Sequence, residues 1–215
     1  MEPDFHRHLG RDCVISTTRI FLEDVNREAE LQMLERDLTK AIELIGSTAP
    51  DVVVFGCTSA GALGTLAHDD AIGARIAEGT SARAVTVLRA VLTGLQAIAP
   101  RKVALFTPYI EDLTNRVASS LADAGFPPVK SAGMGITSNL EIGGVTPREI
   151  VSFVESHMDG CAPDCVVLSC TNWRAVEAIK TLQRKLGIPI VSSNQAAIDM
   201  FRQPAASGIS AAART

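Results

Sequence analysis

Pro50-Asp51-Val52-Val53-Val54-Phe55-Gly56-Cys57-Thr58-Ser59 decides how this chain reads, because it returns as Pro163-Asp164-Cys165-Val166-Val167-Leu168-Ser169-Cys170-Thr171-Asn172. Six of the ten positions are identical, both Cys-Thr pairs among them, at one constant offset that carries 57 to 170. Each copy is a short, β-branched apolar run that breaks into small and hydroxyl-bearing residues. That is the pattern of a buried strand running into a turn that opens a helix. A thiol at such a junction sits beside free backbone N–H groups and the positive end of the helix dipole, which favours thiolate. Two junctions related by duplication can face each other across one cleft, an architecture for two-cysteine chemistry on an anion.

The rest of the chain extends the pattern. Residues 13–18 read as a strand and 25–45 as a helix, with Leu31, Leu34, Leu38, Ile42 and Ile45 at helical spacing. After the strand 52–56 comes a helix from Thr58, then a second helical stretch over 81–98 that Pro100 closes. Further strands are expected at 102–107, 129–135, 165–169 and 189–192. Helices are expected at 110–124 (capped by Gly125), 146–157 (Pro147 in its first turn), 173–186 and 194–201. Residues 138–144 read as a glycine-bearing loop, and 203–215, rich in Ala, Ser and Gly, as a mobile tail. Strands alternating with helices predict an α/β fold with parallel sheets covered on both faces. The repeat predicts two pseudo-symmetric Rossmann-like units, residues 1–96 with 194–215 and residues 97–193. Ligands of such sheets bind beyond the carboxyl ends of the strands, where both Cys-Thr pairs fall.

Composition bounds the function. The 215 residues are 47% hydrophobic and 20% charged, an ordinary globular balance, and a net charge of −4 offers nucleic acid no footing. The uncharged stretch 52–67 holds Gly, Thr and Ser and falls short of a membrane span. Met1-Glu2-Pro3-Asp4-Phe5-His6-Arg7 is too polar for an export signal, so the five cysteines are expected as reduced thiols in the cytoplasm. Cys161 and Cys165 have no second ligand pair that would make a zinc site.

Three cysteines, Cys13, Cys161 and Cys165, read as small buried apolar residues; Cys57 and Cys170 stand apart because the duplication places both at junctions. Thr58, Ser59, Thr171 and Asn172 are N-cap types, and the same donors can grip a carboxylate. Tyr109, the single tyrosine, comes just after a strand end and is expected to turn its hydroxyl toward the cleft. Asn139 reads first as a turn former and Trp173 as packing. The histidines lie outside both motifs, so no Cys-His dyad is indicated, and no phosphate loop or dinucleotide fingerprint occurs.

At these motifs the chain resembles the aspartate/glutamate racemase superfamily, most closely its maleate cis-trans isomerase and arylmalonate decarboxylase branch. The resemblance runs from Met1 to about Phe201. It is carried by Gly56-Cys57-Thr58-Ser59, Thr107-Pro108-Tyr109, Ser138-Asn139-Leu140-Glu141-Ile142-Gly143, Ser169-Cys170-Thr171-Asn172 and Ser193-Asn194-Gln195-Ala196. It implies a cofactor-independent, metal-free site between the two units. Decarboxylases of the branch carry glycine where this chain has Cys57, whereas maleate isomerases carry both cysteines. The resemblance therefore implies Cys57 as nucleophile and Cys170 as proton donor. Thr58, Ser59, Tyr109, Asn139, Thr171 and Asn172 would hold a small dicarboxylate substrate. A two-thiol racemase of an amino acid or hydantoin is the second reading, and a homo-oligomer stays open. The family opens with an apolar strand and a Pro-Ser-Ser-Asn-Thr-like loop whose Asn contacts substrate, and Met1-Glu2-Pro3-Asp4-Phe5 matches the segment just past that loop. The first unit is thus expected to lack its first strand and one binding residue, which motivates a third reading, a non-catalytic carboxylate-binding domain. The two-thiol cleft carries one more expectation: at least one thiol below its ordinary value of about 8.5, the pair titrating as a coupled unit, and Cys57 or Cys170 alkylated before the others.

Overall fold

Over residues 1–10 and 13–203, which the computed structural model describes, apolar runs become strands and amphipathic stretches become helices. In chain order these are α1 (Glu2–Leu9), α2 (Arg27–Arg36), α3 (Leu38–Gly46), β1 (Val52–Phe55), α4 (Thr58–Gly61), α5 (Leu66–Thr80), β2 (Arg83–Thr86), α6 (Val87–Ile98) and β3 (Val103–Thr107). After these come α7 (Glu111–Asp123), β4 (Pro128–Gly133), α8 (Asn139–Gly144), α9 (Pro147–Ser156), β5 (Cys165–Leu168), α10 (Ala175–Leu186), β6 (Ile190–Ser192) and α11 (Ser193–Arg202).

Every strand pair is parallel. One sheet has the order β4-β3-β5-β6; the other consists of β1 and β2 in register from Val52↔Arg83 to Phe55↔Thr86. All residues of β3, β5 and β6 are buried, which is why they read as unbroken apolar runs rather than alternating ones. Helix starts are set by side chains: Asn26 Oδ1 accepts from Ala29 N at 3.0 Å, and Thr146 with Glu149 forms a full capping box on α9. The last helix, α11, leaves β6 directly and packs on α6, β1 and β2, so one element ties the two sheets together. No described helix is long and apolar enough to cross a membrane.

The structure departs from the sequence reading in several places. Residues 13–18 form no strand: Cys13 is half-buried, Val14 almost fully exposed, and the nearby pairing is a single antiparallel bridge, Asp24↔Ser138. β-Branched composition makes a strand only where a neighbouring strand offers its backbone groups, and β1 is paired with β2 alone, leaving its other edge without a described partner. The stretch 81–98 is two elements. Ser81, at φ 56, ends α5; four residues pair with β1 as β2; then Thr86 caps α6 through its hydroxyl. With no turn residue between β2 and α6, the boundary left no mark in the sequence. The helix 25–45 is interrupted at Asp37, the helix after Thr58 is a single turn before α5, and 138–144 is the short helix α8 rather than a loop. Helix α1, unanticipated, has Pro3 and two carboxylates in its first turn, basic side chains in its last, and Gly10 at φ 76 beyond its end. Of the expected mobile tail, residues 204–215 lie outside the described residues.

One glycine positions the site. A Cβ on Gly133 would collide with the Tyr109 carbonyl oxygen. Its absence lets the end of β4 close on the turn after β3, where Gly135 N donates to Tyr109 O at 3.0 Å and Ile136 N to Pro108 O at 3.0 Å.

Candidate active site

Cys57 is the N-cap of α4, with extended backbone at φ −141 and ψ 104. Its Sγ lies 3.8 Å from Ser59 Oγ and 3.9 Å from Glu30 Oε1, and the Ser59 hydroxyl donates a very short hydrogen bond to that same carboxyl oxygen. Burial of the sulfur pushes the thiol well above the ordinary cysteine value, and the charge of Glu30 pushes it further. Thr58, buried one residue on, exchanges a hydrogen bond of 2.9 Å with Ser193 Oγ at the start of α11.

At the second copy Cys170 is buried, and four residues separate it from the start of α10. The Tyr109 hydroxyl and the backbone N–H groups of Asn172 and Trp173 lie near its sulfur and favour its ionised form. Burial still dominates and raises this thiol too, with those hydrogen bonds opposing it. Tyr109, also fully buried, reaches Ser59 as well as Cys170; its phenol is pushed up first by burial and then by the neighbouring cysteine charges. The two junctions are stitched directly: Thr171 Oγ1 donates to Gly56 O at 2.7 Å, and the Thr171 carbonyl accepts from Asn194 Nδ2 at 3.0 Å and from the Met1 ammonium at 2.9 Å.

The structure therefore brings half-buried Cys57 and buried Ser59, Tyr109 and Cys170 into one cluster, with Thr58 and Thr171 bonded within the protein beside it. Asn139 and Asn172 form a separate pair: Asn172 Nδ2 donates to Asn139 Oδ1 at 2.9 Å and to its carbonyl at 2.7 Å, while Asn139 Nδ2 donates to Leu22 O at 2.9 Å. Asn172 also packs on Gly143, where a Cβ would come within 3.2 Å of it. Trp173 is buried edge-on to Phe153, with ring centroids 6.5 Å apart. Cys165 lies fully inside β5, its thiol pushed up to about 12 by burial.

The expected low thiol pKa is corrected. A dipole strong enough to hold a thiolate needs a helix of several turns at the sulfur, but α4 is four residues long and the second junction meets no helix until Ala175. Desolvation wins at both cysteines.

Sequence reasoning also missed Glu30. It is fully buried, and Oε2 has no hydrogen-bond partner among the described residues. Burial raises its carboxyl to about 7, against the lowering influence of the Ser59 and Cys57 hydrogen bonds and of Arg116. The clue lay in helical spacing. Glu30 shares the buried stripe of α2 and α3 with Met33, Leu34, Leu38 and Ala41, where an apolar side chain is the rule.

Comparison with known proteins places this geometry. The chain is 26% identical over 193 residues to the maleate isomerase of Nocardia farcinica, covering 87% of this chain and 76% of that protein. It is 34% identical over 132 residues to the arylmalonate decarboxylase of Bordetella bronchiseptica, covering 60% of this chain and 55% of that one. The crystal structure of Nocardia farcinica maleate cis-trans isomerase bound to TRIS superposes with a TM-score of 0.84 at 23% identity, over 93% of this chain and 82% of that one, so the parallel α/β fold is shared. The arylmalonate decarboxylase family model matches residues 8–213, which takes in both Cys-Thr junctions and the Tyr109 turn. The chain belongs to the arylmalonate decarboxylase family.

Proposed function

We propose that the protein is a cysteine-dependent, cofactor-independent cis-trans isomerase of a small dicarboxylate of the maleate type. Its site would lie between the unit formed by residues 1–96 with 194–215 and the unit 97–193. The observation that carries this reading is the convergence of the two duplicated thiols, Cys57 and Cys170, on the shared hydroxyls of Ser59 and Tyr109. One thiol suffices to protonate a carbanion; a second, facing it, permits addition to an alkene. The membership of maleate isomerases among the curated relatives supports the same choice.

In this mechanism the Cys57 sulfur bonds to one alkene carbon and loses its proton. The alkene electron pair moves to the neighbouring carbon, which gains enolate character with its carboxylate and takes a proton from Cys170. The former double bond is then single and rotates. Cys170 recovers the proton, the sulfur–carbon bond breaks, and the trans diacid leaves. Tyr109, beside Cys170, supplies with Ser59 and nearby backbone N–H groups the donors where negative charge develops. Thr58, Thr171, Asn139 and Asn172 complete the proposed carboxylate contacts once substrate displaces their internal partners.

Incubation with maleate, monitored by proton NMR, is expected to give fumarate. A two-thiol racemase would instead show solvent deuterium entering the Cα position of aspartate, glutamate or a hydantoin, with no thioether adduct on Cys57. A bare carboxylate-binding domain would be stabilised thermally by diacids without forming product.

A further inference from the structure

A thiol that attacks must shed its proton, and among the described residues no cationic group acts on Cys57 to hold a thiolate in advance; the charged group at its sulfur is the Glu30 carboxylate. Cys57 Sγ, Ser59 Oγ and Glu30 Oε1 form a closed triangle, with the two sulfur–oxygen sides at 3.8 and 3.9 Å and the hydroxyl donating to the carboxyl oxygen. The second carboxyl oxygen is buried and has no partner among the described residues. A leucine or methionine at position 30 would pack between the core side chains of α2 without desolvating a carboxyl group, so stability alone does not account for glutamate there.

We propose that Glu30 is the proton acceptor of Cys57, taking the thiol hydrogen as the sulfur attacks and returning it as the sulfur leaves, directly or through the Ser59 hydroxyl. This rests on the isomerase reading. The balance closes without a co-reactant. The S–H bond breaks and the S–C bond forms; the proton settles on Glu30 Oε1; the alkene pair moves to the adjacent carbon and is protonated by Cys170. Every transfer reverses on elimination. Neutralising Glu30 also removes a negative charge from beside the sulfur while negative charge builds on a dianionic substrate. Burial keeps this carboxyl near 7, where it alternates easily between its two forms. The groups facing it are Cys57 and Ser59 at the first junction and Arg116 on α7, itself held by Asp112; Tyr109 reaches Ser59 from the turn after β3.

The test reads Cys57 itself. Alkylation by iodoacetamide, located by peptide mass spectrometry across the pH range, should rise in the wild type with a break near 7, when Glu30 ionises. Glu30→Gln should be labelled at Cys57 about tenfold or more slowly above that break. Glu30→Asp should fall between the two. If Glu30 were merely a buried charge that suppresses the thiolate, Glu30→Gln would label as fast as the wild type or faster, and the proposal is overturned. A wild-type profile flat through 7 overturns it equally and needs no variant, so a folding failure of Glu30→Gln leaves the question decidable. With maleate, kcat should lose its limb near 7 in Glu30→Gln while KM changes little. A wild-type kcat that falls above 7 would make Glu30 a donor to substrate and also overturns the assignment. Should maleate not turn over at all, the isomerase reading fails, and the labelling profile still decides whether Glu30 serves Cys57.

Discussion

The two copies of the Pro-Asp-apolar-Cys-Thr segment are close in sequence and opposite in surroundings. The first strand, β1, is half-buried until Phe55, has one described neighbour, and leads through exposed Gly56 to a thiol beside a carboxylate. The second, β5, is buried throughout, sits between β3 and β6, and leads through buried Ser169 to a thiol surrounded by donors from Tyr109, Asn172 and Trp173. One sulfur faces a proton acceptor and the other faces proton donors. The duplicated segment carries two matching cysteines, and under the proposed mechanism their different neighbours divide the labour that an addition with protonation requires.

The predictions ask how deep that asymmetry runs. The largest concerns the thiols. Cys57→Ser is expected to lower maleate turnover by roughly a thousandfold or more, and Cys170→Ser by on the order of a hundredfold, with an adduct accumulating on Cys57. Equal losses with no adduct, read by proton NMR and intact-protein mass spectrometry, would mean that the two cysteines play the same part.

Next is the carboxylate that one junction has and the other lacks. Because the fold raises Glu30 from the ordinary carboxylate range to about 7, its contribution to stability is whole below that range and is lost as pH rises toward 7. The loss amounts to roughly 3 kcal/mol. Urea unfolding should therefore find Glu30→Gln gaining on the wild type by about that amount between mildly acidic and mildly alkaline solution. A difference independent of pH would place the carboxylate in water.

Burial of the two strands makes the third comparison. Val53→Ala in half-buried β1 should cost less than about 1 kcal/mol, and the equivalent Val166→Ala in β5 roughly 2. Equal shifts in the unfolding midpoint would contradict the contrast between the sheets. The smallest effects belong to the paired threonines. Thr58→Val strands the buried Ser193 hydroxyl and should cost about 1–2 kcal/mol, whereas Thr171→Val loses a bond to the exposed Gly56 carbonyl, which water can replace, for less than about 1. The reverse order in thermal melts would mean that the stitch between junctions matters more than burial.

Much of the fold was legible in the sequence. The runs at β3, β5 and β6 are apolar without alternation because both faces are covered, and that pattern survives in a bare sequence. β2 was not legible, since Arg83 and Ala84 are good helix formers and only the exposed backbone of β1 recruits them to a ladder. Residues 13–18 failed in the opposite sense, having strand chemistry and no ladder to join.

At the site the same division holds. Local order along the chain determined that two cysteines end two equivalent strands and that a tyrosine comes after a third, because short β-branched runs and their terminating hydroxyls are read one residue after another. Tertiary structure alone decided what each sulfur meets. Glu30 comes from a helix 27 residues upstream of Cys57, and Tyr109 approaches Cys170 from another strand, held there by the missing side chain of Gly133. Desolvation depends on every atom packed around a group, so the thiols that local sequence marks as thiolates are, in the folded protein, pushed toward their protonated form by burial.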